Sequence, residues 1–381
     1  MIQLISKLPN TGTTIFTKMS AMAAEAGAIN LSQGFPDFDV DRALINRVAH
    51  HMRKGANQYA PMAGAPVLRE KLAEKTQKLY GHKVDSDSEI TITAGATQAI
   101  FSAIQAVVRS EDEVIIFEPA YDCYAPAIRL AGGEPIRVQL EYPGFAYNWD
   151  AVRSRVSART RMIIINSPHN PTGTAISDQD MAQLQKITEG TDIIILSDEV
   201  YEHILFDGFG HQSVLRYPDL AERAFAVFSF GKTYHVTGWK MGYIIAPEAL
   251  MKQFRLVHQF EVFSVNHPMQ LAMADYLEDA TKWQELNAFY EEKRNYFISL
   301  LKESKFKIIP SKGTYFQLLD YSEISEEQDE KYAELLTWNH GVASIPISVF
   351  YRNKDDNKVL RFCFAKSDKT LEKAAEKLCE I

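Results

Sequence analysis

Between about residues 90 and 245 the chain repeats one pattern: a strand-length run rich in Ile and Val, a polar or Gly/Pro-containing loop, then an amphipathic stretch. Strands alternating with helix-length segments predict a mostly parallel sheet flanked by helices, an α/β unit. The expected strands are Ile90–Thr93, Val114–Phe117, Met162–Ile165, Ile193–Ser197 and Ala224–Ser229. Ligands of such sheets sit beyond the carboxyl ends of the strands. The loops at those ends carry nearly every unusual residue of the chain.

After about residue 270 the pattern changes. A helical stretch from Pro268 through Leu301 precedes strand-like segments at Phe306–Ile309, Thr314–Leu318 and Val359–Phe364, then a closing helix, which predicts a second, smaller α+β unit. Asn30–Asp39, with Gly34 and Pro36, reads as a loop or arm packed on other parts of the chain. The expected division is residues 1–45 as arm and part of the small domain, 46–270 as the large domain, and 271–381 as the small domain.

Composition removes several function classes. At 381 residues and 46% hydrophobic content the chain can bury a large core. Its net charge of -8, with 41 basic residues scattered along the sequence, gives no basic face for a nucleic-acid backbone. Cys123, Cys363 and Cys379 lie far apart without a CxxC pair, so they read as reduced thiols of a cytoplasmic protein. No secretory signal is expected in MIQLISKLPNTGTT, and no apolar run reaches membrane-spanning length. His169, His203 and His235 lack metal-ligand spacing, and no metal is expected.

Five segments carry the chemistry. Thr93-Ala-Gly-Ala-Thr-Gln98 leads a strand through Gly95 into an apolar-periodic helix, whose free amides can hold a phosphate; taken alone, these residues read more readily as an ordinary strand-to-helix turn capped by Thr97. In SDEVYEH a buried strand ends on Asp198, a position where a carboxylate needs a partner or a task. In SFGKTYHVTGWKMGY, Lys232 and Lys240 stand among small and aromatic residues. A lysine withdrawn from water there has a lowered pKa and becomes a nucleophile able to form a Schiff base.

The fourth segment, NSPHNPTG, places Asn166 and Asn170 after a strand on a path fixed by two prolines. In the fifth, Arg361 sits inside the apolar run LRFCF. It requires a partner there, either a structural ion pair or a ligand carboxylate met by the planar guanidinium fork. Gly231-Lys232-Thr233 also has the form of a phosphate-loop ending. That reading fails, because Ala226 stands where the first glycine belongs and the acidic strand precedes the loop.

In chain order, AGATQAI, EPAYDCY, NSPHNPTG, SDEVYEH, SFGKTYHVTGWKMGY and LRFCFA together resemble the signature of fold-type I, class I aminotransferases. LSQGFPDFD, GANQYAPMAGAPVLRE and SVNHPMQ are similar to the methionine and kynurenine aminotransferase subgroup. The resemblance spans the chain and implies pyridoxal 5'-phosphate as cofactor, with transamination between an amino acid and a 2-oxo acid.

It further implies that Lys232 bonds the cofactor and then serves as the base that moves a proton. Asp198 pairs with the pyridine nitrogen, while Tyr201 and Asn170 hydrogen-bond the ring hydroxyl. Gly95, Ala96, Thr97, Ser229 and Lys240 hold the phosphate, and Tyr121 stacks on the ring. Arg361, with Gly34 and Asn170, takes the substrate α-carboxylate, and Tyr59 reaches the phosphate of a neighbouring subunit in a homodimer. Phe16, Phe35 and Tyr59 suit a methionine or aromatic side chain. No second arginine placed for a distal carboxylate can be identified by motif. A cysteine-conjugate β-lyase on the same fold, or a non-catalytic cofactor-binding module, would share many of these residues.

Overall fold

The computed structural model describes residue 2, residues 4–9 and residues 11–381; Met1, Gln3 and Asn10 of the expected arm lie outside the described residues. Among the described residues, thirteen strands form three sheets. They are β1 (Ile29–Asn30), β2 (Ile90–Thr93), β3 (Glu113–Glu118), β4 (Glu134–Gln139), β5 (Thr160–Asn166), β6 (Ile194–Asp198), β7 (Ala224–Ser229), β8 (Gly242–Ile245), β9 (Lys307–Ile309), β10 (Phe316–Asp320), β11 (Val342–Ala343), β12 (Ile345–Pro346) and β13 (Val359–Cys363).

The large sheet runs β2-β8-β7-β6-β5-β3-β4. Its pairs from β7 to β4 are parallel, and β8 is antiparallel to both neighbours. The five expected strands are all present, shifted by at most two residues at an end. They read as unbroken apolar runs because helices cover both faces, and every residue of β2 and β3 is buried.

Two strands of this large sheet escaped the sequence reading for physical reasons. β4 lies at the sheet edge, carries Pro135, and exposes both of its end residues, so its apolar run is broken. β8 is four residues long and begins on a glycine. Gly242 has no room for a side chain, since a Cβ there would lie 2.7 Å from the Phe228 carbonyl oxygen and 3.1 Å from the Ala96 nitrogen.

Register brings the chemistry to one edge. Asn166 pairs with Asp198, Asp198 with Val227, and Gly242 with both Ser229 and Thr93. The ends of β2, β5, β6 and β7 therefore form a single row at the rim of the sheet.

The small sheet, β12-β13-β10-β9, is antiparallel throughout. Arg361 occupies the middle of β13, opposite Leu318 on one side and Ile345 on the other. The single helical stretch expected from Pro268 to Leu301 is divided into His267–Leu277, Thr281–Gln284 and Leu286–Leu300. Asp279 accounts for the break, because its carboxylate accepts from the Thr281 amide and hydroxyl (3.1 and 2.6 Å) and so competes with helical pairing.

The first forty residues hold a helix that the sequence reading missed, Ile15–Ala26, capped by Thr14 and stopped by left-handed Gly27. Rich in Ala, it buries Met19 and Ala23 on a face shared with the half-buried Ile15, Phe16 and Met22, a helical spacing that the sequence reading passed over. β1 then pairs in parallel with β11, which ties the arm to the C-terminal part of the chain. Among the described residues, no helix is long and apolar enough to cross a membrane, and no group of three His, Cys, Asp or Glu could hold a metal ion.

Candidate active site

A cavity of about 140 Å³ opens at the rim of the large sheet. Gly95, Ala96, Thr97, Tyr121, Asn170, Asp198, Tyr201, Ser229, Lys232 and Lys240 all line it. These ten residues come from five separate segments of the sequence.

One end of the cavity is built for an anion. The helix Ala96–Val107 starts on Gly95, whose φ is 82°, and no side chain caps it. The reading of Thr97 as a cap is thereby corrected: it is the second helical residue. Uncapped amides of a first turn carry partial positive charge. Ser229 and Lys240 line the same space. Lys240 is held in the left-handed conformation and packs on Gly95, where a Cβ would meet its Cε at 3.4 Å.

At the other end stands Asp198, 3% exposed. The Tyr124 hydroxyl donates to its Oδ2 (2.6 Å), and the Val200 amide approaches its Oδ1 (3.4 Å). Burial pushes its carboxyl up to about 6, against the opposing pull of these donors. The group is poised to accept a cationic N–H partner, which would restore an ordinary carboxylate.

Lys232 follows β7 on the short helical turn Phe230–Thr233, whose start is capped by Ser229. Its amine donates to the Tyr315 hydroxyl (2.7 Å) and, less closely, to the Gly34 carbonyl (3.3 Å). Burial draws its pKa down from 10.5 to about 8. A lysine so shifted is about one-tenth neutral at pH 7, against roughly one part in three thousand for an exposed one.

Arg361 reaches the same rim from the small sheet and is 1% exposed. Its polar partners are neutral: the Asn170 side-chain oxygen (2.7 Å) and the Ser32 carbonyl (2.9 Å). Its Nε has no partner, and its guanidinium lies 3.8 Å above the Phe316 ring and 5.3 Å from that of Phe16. Burial lowers its pKa to about 10. A buried cation with a spare donor and no carboxylate partner among the described residues fits an anionic ligand.

These groups are wired together. Asn166 donates to the Asp198 carbonyl (2.9 Å) and accepts from the Asn170 amide (2.9 Å), while Asn170 in turn accepts from Arg361. Gly173 lets the NSPHNPTG turn lie against residues 311–313. It has φ 72°, and a Cβ there would lie 2.3 Å from the Ser311 hydroxyl oxygen.

Five sequence candidates lie outside this cavity. Gly34 sits above it with its carbonyl toward Lys232. Arg361 and Phe16 form the neighbouring stack, and Phe35 is 42% exposed under the Lys366 amine. Tyr59 is 80% exposed against Phe263 and contributes nothing to the cavity of its own chain. Sequence reasoning missed Tyr124 and Tyr315 as site residues. The first ends EPAYDCY and could have been flagged; the second had no local signal.

Behind the rim, Glu202 is buried with Lys75 at 2.6 Å, Tyr243 at 3.1 Å and the Tyr80 hydroxyl. Burial alone would raise its carboxyl, but His203 and Lys75 facing it hold it well below the usual range. Removing one member of a buried ion pair strands the other, so Lys75→Met is expected to cost about 3–5 kcal/mol of stability. Denaturant unfolding measures it.

The chain matches the family model described as aminotransferase class I and II over residues 26–378. It belongs to that family. The protein is therefore an aminotransferase, and enzymes of this family work with pyridoxal 5'-phosphate. The aminotransferase is 52% identical to methionine aminotransferase of Escherichia coli over 377 residues, covering 99% of this chain and 98% of that one. A crystal structure of an E. coli protein with a methionine aminotransferase function superposes with a TM-score of 0.98, at 52% identity and full coverage of both chains. Human kynurenine–oxoglutarate transaminase 1 is 31% identical, with 94% of this chain and 93% of that one covered. The uncapped helix start, the raised Asp198 carboxyl and the lowered Lys232 amine suit the phosphate, ring nitrogen and aldehyde of this cofactor in turn.

Proposed function

We propose that this aminotransferase moves the amino group of methionine, or of an aromatic or kynurenine-like donor, to a 2-oxo acid in two alternating half-reactions. The observation that carries the reading is the convergence on one rim of Asp198 and Arg361, joined through Asn166 and Asn170, with the buried Lys232 amine held beside them by Tyr315 and Gly34. The 52% identity to a methionine aminotransferase supports the donor class. Bound pyridoxal 5'-phosphate supplies a ring that accepts the electron pair left when a proton departs from the substrate Cα.

The residues divide the work. Lys232 would hold the cofactor through its amine and, when that amine is free, would take the Cα proton on its nitrogen. Asp198 holds the ring nitrogen in its protonated form, with Tyr124 fixing the carboxylate. Tyr201 and Asn170 donate to the ring hydroxyl oxygen, and Tyr121 covers the ring face. The Gly95–Thr97 amides, Ser229 and Lys240 hold the phosphate. Arg361 takes the α-carboxylate with Asn170 and Gly34 beside it, and Phe16 and Phe35 line the path of the donor side chain.

Tyr59, exposed on its own chain, completes the site of a second copy, so the working unit is a homodimer. In this reading residues 46–270 form the cofactor-binding domain, and 271–381 with the arm form the smaller one. The enzyme acts in the cytoplasm, without nucleic-acid or membrane partners.

Two outcomes follow from this division. Because only a neutral Lys232 attacks an aldehyde, cofactor capture by the cofactor-free protein should quicken as pH rises from 6 and level off above about 8, as stopped-flow absorbance would show. A Cβ on Gly34 would meet the Phe316 ring, on which Arg361 rests, at 2.6 Å. Gly34→Ala is accordingly expected to raise KM for the amino donor about tenfold, or about 1.4 kcal/mol, with a smaller change in kcat.

A panel of amino donors assayed with several 2-oxo acids tests the function. Methionine and aromatic donors should lead. Aspartate as by far the best donor would overturn the proposed preference. Pyruvate and ammonia released from a cysteine conjugate without any acceptor would favour a β-lyase.

A further inference from the structure

We propose that Tyr315 is a positioning residue for the base, one whose hydroxyl oxygen holds the Lys232 amine with its lone pair free for the substrate proton. The inference rests on the reading of Lys232 as the base. Tyr315 begins the approach to β10 in the small sheet, is 0% exposed, and stands edge-on to Tyr201 with ring centroids 5.1 Å apart.

Its hydrogen-bond roles follow by elimination. A phenol has one hydrogen to give, and the Tyr315 hydroxyl gives it to the Gly34 carbonyl at 2.6 Å. Its oxygen is then an acceptor only, and the Lys232 amine donates to it at 2.7 Å. Gly34 O takes a second, longer bond from the same nitrogen at 3.3 Å.

A neutral amine has two hydrogens and one lone pair. With both hydrogens directed to Tyr315 and Gly34, the lone pair is the one valence left for a proton. The flexible four-carbon stem of a lysine would otherwise let that nitrogen rotate among many orientations, and the two acceptors fix it. Burial keeps the Tyr315 hydroxyl protonated, well above its ordinary pKa, so it gives its one hydrogen away, to Gly34 or the neighbouring Tyr201 hydroxyl, and accepts from Lys232.

The contact also joins three parts of the chain that are remote in sequence. Ser32 and Gly34 of the arm accept from Arg361 and Lys232, and Phe35 accepts from the buried Lys366 at 2.8 Å. The arm that borders the substrate carboxylate thus also sets the direction of the base, through Tyr315.

Tyr315→Phe deletes the oxygen and keeps the ring. The first readout is independent of turnover: acetylation of Lys232 by acetic anhydride in the cofactor-free protein, followed across pH by peptide mass spectrometry. An acceptor bond stabilises the ammonium form, so its loss should move the Lys232 midpoint down by about one pH unit. In the loaded enzyme, kcat for methionine should fall about 30-fold, with KM within about threefold. Tyr315→His, whose ring nitrogen can accept from Lys232, should recover part of both.

An unmoved Lys232 midpoint, or Phe and His variants with equal losses, would overturn the proposal and leave the function standing. A wild-type enzyme whose cofactor no amino acid discharges would overturn the functional reading instead. The midpoint of Lys232 would still decide whether Tyr315 holds the amine.

Discussion

Replacing Lys232 with alanine should lower kcat/KM for methionine by at least about 10⁴-fold, the upper range for a positioned acid–base group. The geometry explains the severity. Among the described residues, Lys232 is the one side chain of the rim that combines a lowered pKa with a primary amine; the other rim amine, Lys240, belongs to the anion end. Tyr201 and Tyr121 cannot take its place as base, because burial holds both protonated, and the Asp198 carboxylate is engaged by the Tyr124 hydroxyl. The variant should still fold, since among the described residues Lys232 holds no ion pair and its amine contacts are two hydrogen bonds, to Tyr315 and Gly34, and the faces of the Tyr201 and Tyr315 rings. Steady-state kinetics with a coupled oxo-acid assay would measure the loss, and a variant within 100-fold of wild type would exclude Lys232 as the base.

Asp198→Asn should reduce kcat by about 10³-fold with little effect on KM, the scale of removing one preorganised electrostatic partner. Asparagine keeps the shape and can still accept from Tyr124, so the loss isolates the charge. The same substitution should act in the opposite direction on stability. Asp198 has a folded pKa of about 6, above the ordinary 3.8. A raised carboxylate contributes most stability below its unfolded pKa, loses it as pH rises between about 4 and 6, and stays lower beyond. The cofactor-free Asn variant should therefore be more stable than wild type at pH 8, by up to about 3 kcal/mol, and no more stable at pH 4. Denaturation midpoints at the two pH values test the sign. Such a stability gain paired with an activity loss marks a group retained for chemistry.

Much of this site was legible because it is local. Asp198, Lys232, Asn170 and the Gly95 turn each follow a buried strand directly, and the parallel register lines their ends up. Arg361 was legible for another reason, as a charge inside an apolar run. Tyr315 was not, because nothing near it in sequence distinguishes it from core aromatics such as Tyr321. Its hydroxyl acquires meaning only where the small sheet meets the arm and the large sheet.

The same distinction separates the elements. Strands covered on both faces read as continuous apolar runs, whereas edge strand β4 and glycine-led β8 are defined by what they pack against. Tyr59 illustrates the limit, since its ring is exposed on its own chain and only the proposed second copy would give it a task.

The most direct test is a single turnover: purified enzyme loaded with pyridoxal 5'-phosphate, mixed with methionine and no oxo acid, and followed by its visible spectrum. Stoichiometric conversion of the cofactor from its aldehyde to its amine form, with release of the 2-oxo acid of methionine and no conversion in Lys232→Ala, is the expected result. A cofactor that neither methionine nor any aromatic amino acid discharges would contradict the assignment of this rim to amino transfer.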